Sequence, residues 1–179
     1  ANTETSSVSS DTSDTAKTLV YGTSSYGVGM SDAGLNPHED YSGWSCVKYG
    51  VGETLFRLNE DIELVPWLAD SYKFVDDNTL EVVIKDGINF SSGRKLDAAA
   101  AKECFEDLIA VHDRAPKDMK IQEIKADGQT ITFVTTEPNP ALLNFLAEPY
   151  TAIIDMQAGV DASKNVSGTG PYKATAVSD

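Results

Sequence analysis

Residues Gly50–Leu108 read GVGETLFRLNEDIELVPWLADSYKFVDDNTLEVVIKDGINFSSGRKLDAAAAKECFEDL. The apolar run Thr54-Leu55-Phe56 is followed by a polar turn and by Leu64-Val65-Pro66-Trp67-Leu68-Ala69. Ser71–Val75 and Thr79–Ile84 then place their larger apolar residues, Tyr72, Phe74, Leu80, Val82 and Ile84, at period two, with Lys73, Glu81 and Lys85 interleaved. That alternation is the mark of strands with one buried face. Asp76-Asp77-Asn78 between them supplies turn chemistry. After a loop centred on Ser91-Ser92-Gly93, Asp97 is placed to cap a helix over Ala98–Val111, its carboxylate near the free N–H groups of the first turn. Ala101, Phe105, Leu108 and His112 fall on one stripe of that helix and are expected to be buried.

Outward from this centre the pattern continues. Ile121–Ala126 and Gln129–Thr135 flank Asp127-Gly128, a hairpin turn signal, with Ile131, Phe133 and Thr135 on one face. Ala115-Pro116 is read as ending the long helix. A short helix is expected over Ala141–Ala147 and a further strand at Ala152-Ile153-Ile154. Upstream, Ser42–Tyr49 reads as a short helix, Leu35-Asn36-Pro37-His38 as a turn, and Lys17–Gly22 as the first strand, which leads into the loop Thr23–Ser31. Residues 1–16 are rich in Ser, Thr and Asp and read as a disordered tether. It is either a leftover segment or the spacer of a lipid-anchored protein. The remainder, 17–179, is read as one lobe.

The chain has 179 residues and a formal net charge of -14. That balance opposes binding to nucleic acid or to anionic lipid, both of which recruit Lys and Arg. No apolar run approaches the ~20 residues of a membrane span. The chain starts at Ala1 without a basic or apolar leader, so any leader is expected to have been removed. Cys46 and Cys104 lack CxxC spacing, and a buried thiol is expected at Cys104. No GxSxG, HExxH or phosphate-loop motif occurs, and neither His38 nor His112 sits in a nucleophile motif, so no enzyme is expected. As metal ligands His38 and His112 are weak candidates, and no other metal site is read.

Several pieces together resemble the family 5 (peptide/nickel class) substrate-binding proteins of ABC transporters. They are Glu53-Thr54-Leu55, Pro66–Tyr72 (PWLADSY), Thr79–Phe90 (TLEVVIKDGINF), Leu96-Asp97-Ala98 with its helix, and Gly168–Tyr172 (GTGPY), all in family order. Within the family the nickel-binding branch is echoed by Leu35-Asn36-Pro37-His38, Asn89–Gly93 and Leu96–Ala101. Arg114 matches an arginine of that branch that helps bind a chelated metal, whereas Lys117 and Tyr150 stand where the branch has a tryptophan and a second arginine. The resemblance implies an α/β fold: a periplasmic-binding-protein-like type II lobe, with a mixed sheet, flanking helices and peripheral β-hairpins, here a partial chain that ends before the second lobe. It implies capture of a small solute, either nickel as ion or chelate or an oligopeptide, between two lobes, with delivery to ABC permease subunits and no chemistry. It implies an extracytoplasmic protein, either lipid-anchored to the outer face of the cell membrane by an anchor outside this chain or periplasmic. The expected ligand-binding residues, on loops facing the cleft, are Ser25, Tyr26, Tyr41, Trp44, Ser45, Arg114 and Tyr150. The competing expectation is a standalone adhesion or interaction module at the cell surface.

Overall fold

The computed structural model describes residues 34–161 and 165–175. The expected strand Lys17–Gly22, the loop after it and the site candidates Ser25 and Tyr26 lie outside the described residues, as does the tether. A two-stranded sheet pairs β1 (Phe56–Leu58) with β2 (Leu64–Pro66). The main sheet has four strands, β3 (Ala69–Asp76), β4 (Thr79–Ile84), β5 (Ile121–Asp127) and β6 (Thr130–Thr135), in the order β3-β4-β6-β5. Every strand pair among the described residues is antiparallel. The α/β class is as expected, but the mixed sheet is not found among them. Three of these four pairs, β1–β2, β3–β4 and β5–β6, join consecutive strands through short turns, which impose antiparallel pairing, and β4–β6 sets the last two hairpins side by side.

Helix α1 spans Ser42–Lys48, α2 Ala98–Val111, α3 Ala115–Met119 and α4 Leu142–Phe145, followed by a 3-10 turn at Pro149–Thr151. Helix α2 has the expected bounds, and Asp97 caps it by accepting the Ala100 N–H at 2.8 Å. Replacing Asp97 with Ala should cost ~1 kcal/mol, measurable as a lower denaturant midpoint at unchanged slope. Pro116 does not merely stop the chain. It lies in the first turn of α3, where its missing N–H would have no helical partner in any case.

The core lies between α2 and one face of the main sheet. Leu80, Val82 and Ile84 of β4 and Ile131, Phe133 and Thr135 of β6 are buried on that face, with Leu80 opposite Phe133 and Val82 opposite Ile131. Ala101, Phe105 and Leu108 meet them from α2, and Phe105 packs edge-on to Phe133 at 5.0 Å between centroids. The period-two reading of the first hairpin needs one correction. Tyr72 and Phe74 pair with Val82 and Leu80 and so share the buried face, yet they remain 45% and 43% exposed. The cause is position: of the two edge strands, β5 lies under α2 with Ile124 buried, whereas α2 packs over β5 and β6 and leaves β3 at the open edge.

Ala152–Ile154 forms only isolated bridges, Ile153 with Glu53 and Ile154 with Gly168, rather than a strand. The segment Gly168–Tyr172 docks on Gly50 and Val51 through Gly170 N–H to Val51 O at 2.9 Å and Tyr172 N–H to Gly50 O at 3.0 Å. A Cβ on Gly168 would lie 2.0 Å from Val51 O, and one on Gly170 2.1 Å from Gly50 O. The glycines of this motif are therefore demanded by backbone approaching backbone. Nearby, Arg94 bridges Glu103 at 2.8 Å and Asp155 at 2.9 Å. Burial pushes the Asp155 carboxyl upward, but hydrogen bonds from Ser92 and Arg94 outweigh it and hold the group below its usual range. Both cysteines are buried free thiols.

Candidate functional site

A cavity of about 340 Å³ opens where the loop before α1, the end of α2, the start of α3 and the 3-10 turn converge. Its walls include Tyr41, Trp44, Arg114 and Tyr150, four of the expected ligand-binding residues. They come together because α1 packs against the 3-10 turn with no side chain between them: a Cβ on Gly43 would sit 2.5 Å from Pro149 O. Ser45, one position further along α1, is half-buried and does not line the cavity.

Tyr41 and Trp44 are 64% and 59% exposed, so two aromatic faces are presented rather than packed. Arg114 sits at the N-terminus of α3, bonds Asp118 Oδ2 at 3.2 Å and lies 5.6 Å from the centre of the Tyr150 ring. A guanidinium carries more donors than that single bond uses. Tyr150 is buried and its hydroxyl donates to the same Asp118 oxygen at 3.2 Å. Burial, and after it the Asp118 charge, pushes the phenol above its ordinary value, so it stays protonated. Glu39, Asp40, Asp113 and Glu148 also line the cavity, which makes it acidic around one guanidinium.

Both imidazoles border the cavity; both ring nitrogens of His38 and Nδ1 of His112 are engaged. His38 is 2% exposed, with Nδ1 2.7 Å from Asp107 Oδ2 and Nε2 3.4 Å from Cys104 Sγ. His112 Nδ1 accepts the N–H groups of Arg114 and Ala115, each at 3.1 Å. Among the described residues no three His, Cys, Asp or Glu side chains converge as a metal site. The contacts made by the two histidines, weak metal-ligand candidates in sequence, give each a structural role.

Cys104, His38 and Asp107 have the spacing of a nucleophilic triad, 66 and 69 residues apart in sequence, which composition and motif could not reveal. It has no access and no thiolate. Cys104 is 2% exposed, and burial pushes its thiol up to about 12. What the cluster does is tie the loop ahead of α1 to α2.

Burial is the largest influence on both imidazoles and lowers each below the ordinary 6.5. The unfolded chain therefore takes up these protons first as pH falls. The stability they contribute is complete above pH 6.5 and is lost as pH drops through the lower folded values. The thermal midpoint should fall from about pH 6.5 towards about pH 5, and less steeply in a His38→Gln variant.

Sequence reasoning missed Asp118 and Glu148, the carboxylates beside Arg114 and Tyr150. The four-residue spacing of Arg114 and Asp118 was the available signal for the first. Glu148 had none.

Residues 63–179 match the family described as bacterial extracellular solute-binding proteins, family 5. The nickel-binding protein NikA of Staphylococcus aureus is 36% identical over 127 residues, 71% of this chain and 26% of that protein. The glutathione-binding protein GsiB of Salmonella paratyphi A is 31% identical over 82% of this chain and 30% of its own length. The crystal structure of S. aureus NikA in complex with Ni(L-His)2 superposes with a TM-score of 0.76 at 33% identity, covering 82% of this chain and 31% of that one. The chain thus spans between a quarter and a third of the length of these relatives. Its α/β architecture is that of the type II periplasmic-binding fold, represented in part. Among the described residues no helix is long and apolar enough to cross a membrane. On the family match and these identities together, the chain belongs to the bacterial extracellular solute-binding proteins of family 5.

Proposed function

We propose that this chain forms part of the substrate-binding component of an ABC importer, outside the cytoplasm, and that its cavity holds one end of a small solute handed on to permease subunits. The observation that carries the reading is the composition of the cavity: one guanidinium, Arg114, beside two exposed aromatic faces, Tyr41 and Trp44, within a ring of carboxylates. A cargo suited to it bears a carboxylate for Arg114, a positively charged centre for Glu39, Asp40, Asp113 and Glu148, and a flat or apolar part for the aromatic rings. A peptide has all three. So does a nickel ion already chelated by an amino acid, and such a chelate needs no ligand from the protein. About 340 Å³ is at the small end of ligand cavities. That size suits a dipeptide-sized or chelate-sized group, or one end of a longer cargo.

The test is calorimetry on the full-length gene product with Ni(II) alone, Ni(II) with two equivalents of L-histidine, glutathione and a dipeptide. Chelated nickel or one of the peptides should bind at micromolar Kd or tighter, and Ni(II) alone should bind far more weakly. Tight binding of bare Ni(II), with no binding of the other three, would overturn the reading.

A further inference from the structure

We propose that His112 is the positioning residue of this cavity. It joins the end of α2, the start of α3 and the 3-10 turn, and so sets where Arg114 stands. The proposal rests on the reading of Arg114 as the carboxylate-binding group.

Three contacts of one side chain carry it, together with its place in the backbone. His112 ends α2, its own N–H bonding Leu108 O at 2.9 Å, and its backbone is extended, so the chain changes direction there. Its Nδ1 accepts both the Arg114 and the Ala115 N–H at 3.1 Å. These belong to the cap and first residue of α3, whose N-cap side chain makes no such bond. His112 thus caps the short helix from two residues before its cap, which removes two orphan donors. The ring lies 4.7 Å from the Tyr150 ring, tilted by 33°. Helix α3 has five residues, too few to be stable alone, so its first turn stands where the cap puts it. Arg114 and Asp118, which share that helix or its cap, follow. A recognition group is only as precise as the residues that support it.

Asn and Leu at position 112 separate the contacts. Asn offers an oxygen at the place of Nδ1 and can cap the same two N–H groups. Leu offers none. In the full-length gene product, His112→Leu should speed amide hydrogen exchange at Arg114 and Ala115 at least tenfold and weaken the Kd for Ni(II)–bis-L-histidine or glutathione about tenfold. His112→Asn should recover most of both losses. In an Arg114→Ala background, His112→Leu should add little to the Kd, because the two residues act through one contact. Equal damage from Asn and Leu, or additive losses in the double variant, would overturn the proposal. Exchange that quickens with no change in Kd would also overturn it as a role in recognition. Failure of the underlying reading has a different signature: Arg114→Ala alone then leaves the Kd unchanged.

Discussion

Gly168→Ala should destabilise the protein by ~3 kcal/mol, and Gly170→Ala by a similar amount. The added methyls would stand 2.0 Å from Val51 O and 2.1 Å from Gly50 O, and both obstacles are backbone. A flexible side chain could rotate away. A carbonyl held in a bridge can yield only if the bridge opens, and Gly170 N–H to Val51 O is one of the bonds that would break. The loss spreads further, because Gly168 O accepts the Ser91 N–H at 2.9 Å and Ser167 Oγ meets both Ser91 and Ser92. Loosening this strip frees the loop that carries Arg94, and with it the ion pairs to Glu103 and to buried Asp155. Gly93→Ala is a useful contrast. Nothing lies within 4 Å of its Cβ direction, so its cost should come from its φ of 95° alone. Urea unfolding of the three variants should rank Gly168 and Gly170 well below Gly93. Equal midpoints would mean that the docking of GTGPY on Gly50 and Val51 is not tight.

Arg114→Ala should weaken cargo binding by ~2–4 kcal/mol, a loss of roughly thirtyfold to a thousandfold, while moving the thermal midpoint little. The two effects separate because Arg114 does little for the fold. Its side chain is 54% exposed and its pair with Asp118 spans one helical turn at the surface, an interaction worth a few tenths of a kcal/mol. A cargo carboxylate enclosed in the cavity would lose its only cationic partner among the described lining residues and face Glu39, Asp40, Asp113 and Glu148 instead. Arg114→Lys should recover only part of the affinity, since an ammonium cannot reproduce the guanidinium fork. A fall in stability that matched the fall in affinity would assign Arg114 to the fold rather than to recognition.

The two hairpins and α2 were legible in the sequence because their information is local. Alternation set the strands, Asp127-Gly128 and Asp76-Asp77-Asn78 set the turns, and Asp97 set the helix start. What alternation could not give was sheet order. Tyr72 and Phe74 have the same periodicity as Leu80 and Val82, and the place of β3 at the edge away from α2 leaves them exposed. The site was less legible, since its walls come from residues 38–44, 111–114 and 148–150. Tyr41, Trp44, Arg114 and Tyr150 were picked out through resemblance to a family, and nothing in their spacing would have united them. Ser45 was taken with its neighbour Trp44, but one residue along a helix turns a side chain by about 100°, away from the face that Trp44 shares. The partners of the two histidine rings, read from sequence as weak metal-ligand candidates, are invisible in sequence. Asp107 and Cys104 lie 69 and 66 residues from His38, whereas the N–H groups that occupy His112 are only two and three residues on.

The most direct measurement is the identity of what the cavity carries. The full-length gene product, purified under native conditions, should be analysed for co-purified solutes by mass spectrometry and for metal by elemental analysis. The account predicts a small solute with a carboxylate and a positively charged centre, either a peptide or nickel held by an amino-acid chelator, and its release from an Arg114→Ala variant. An apolar or purely anionic solute, bound as tightly to the variant as to the parent, would contradict it.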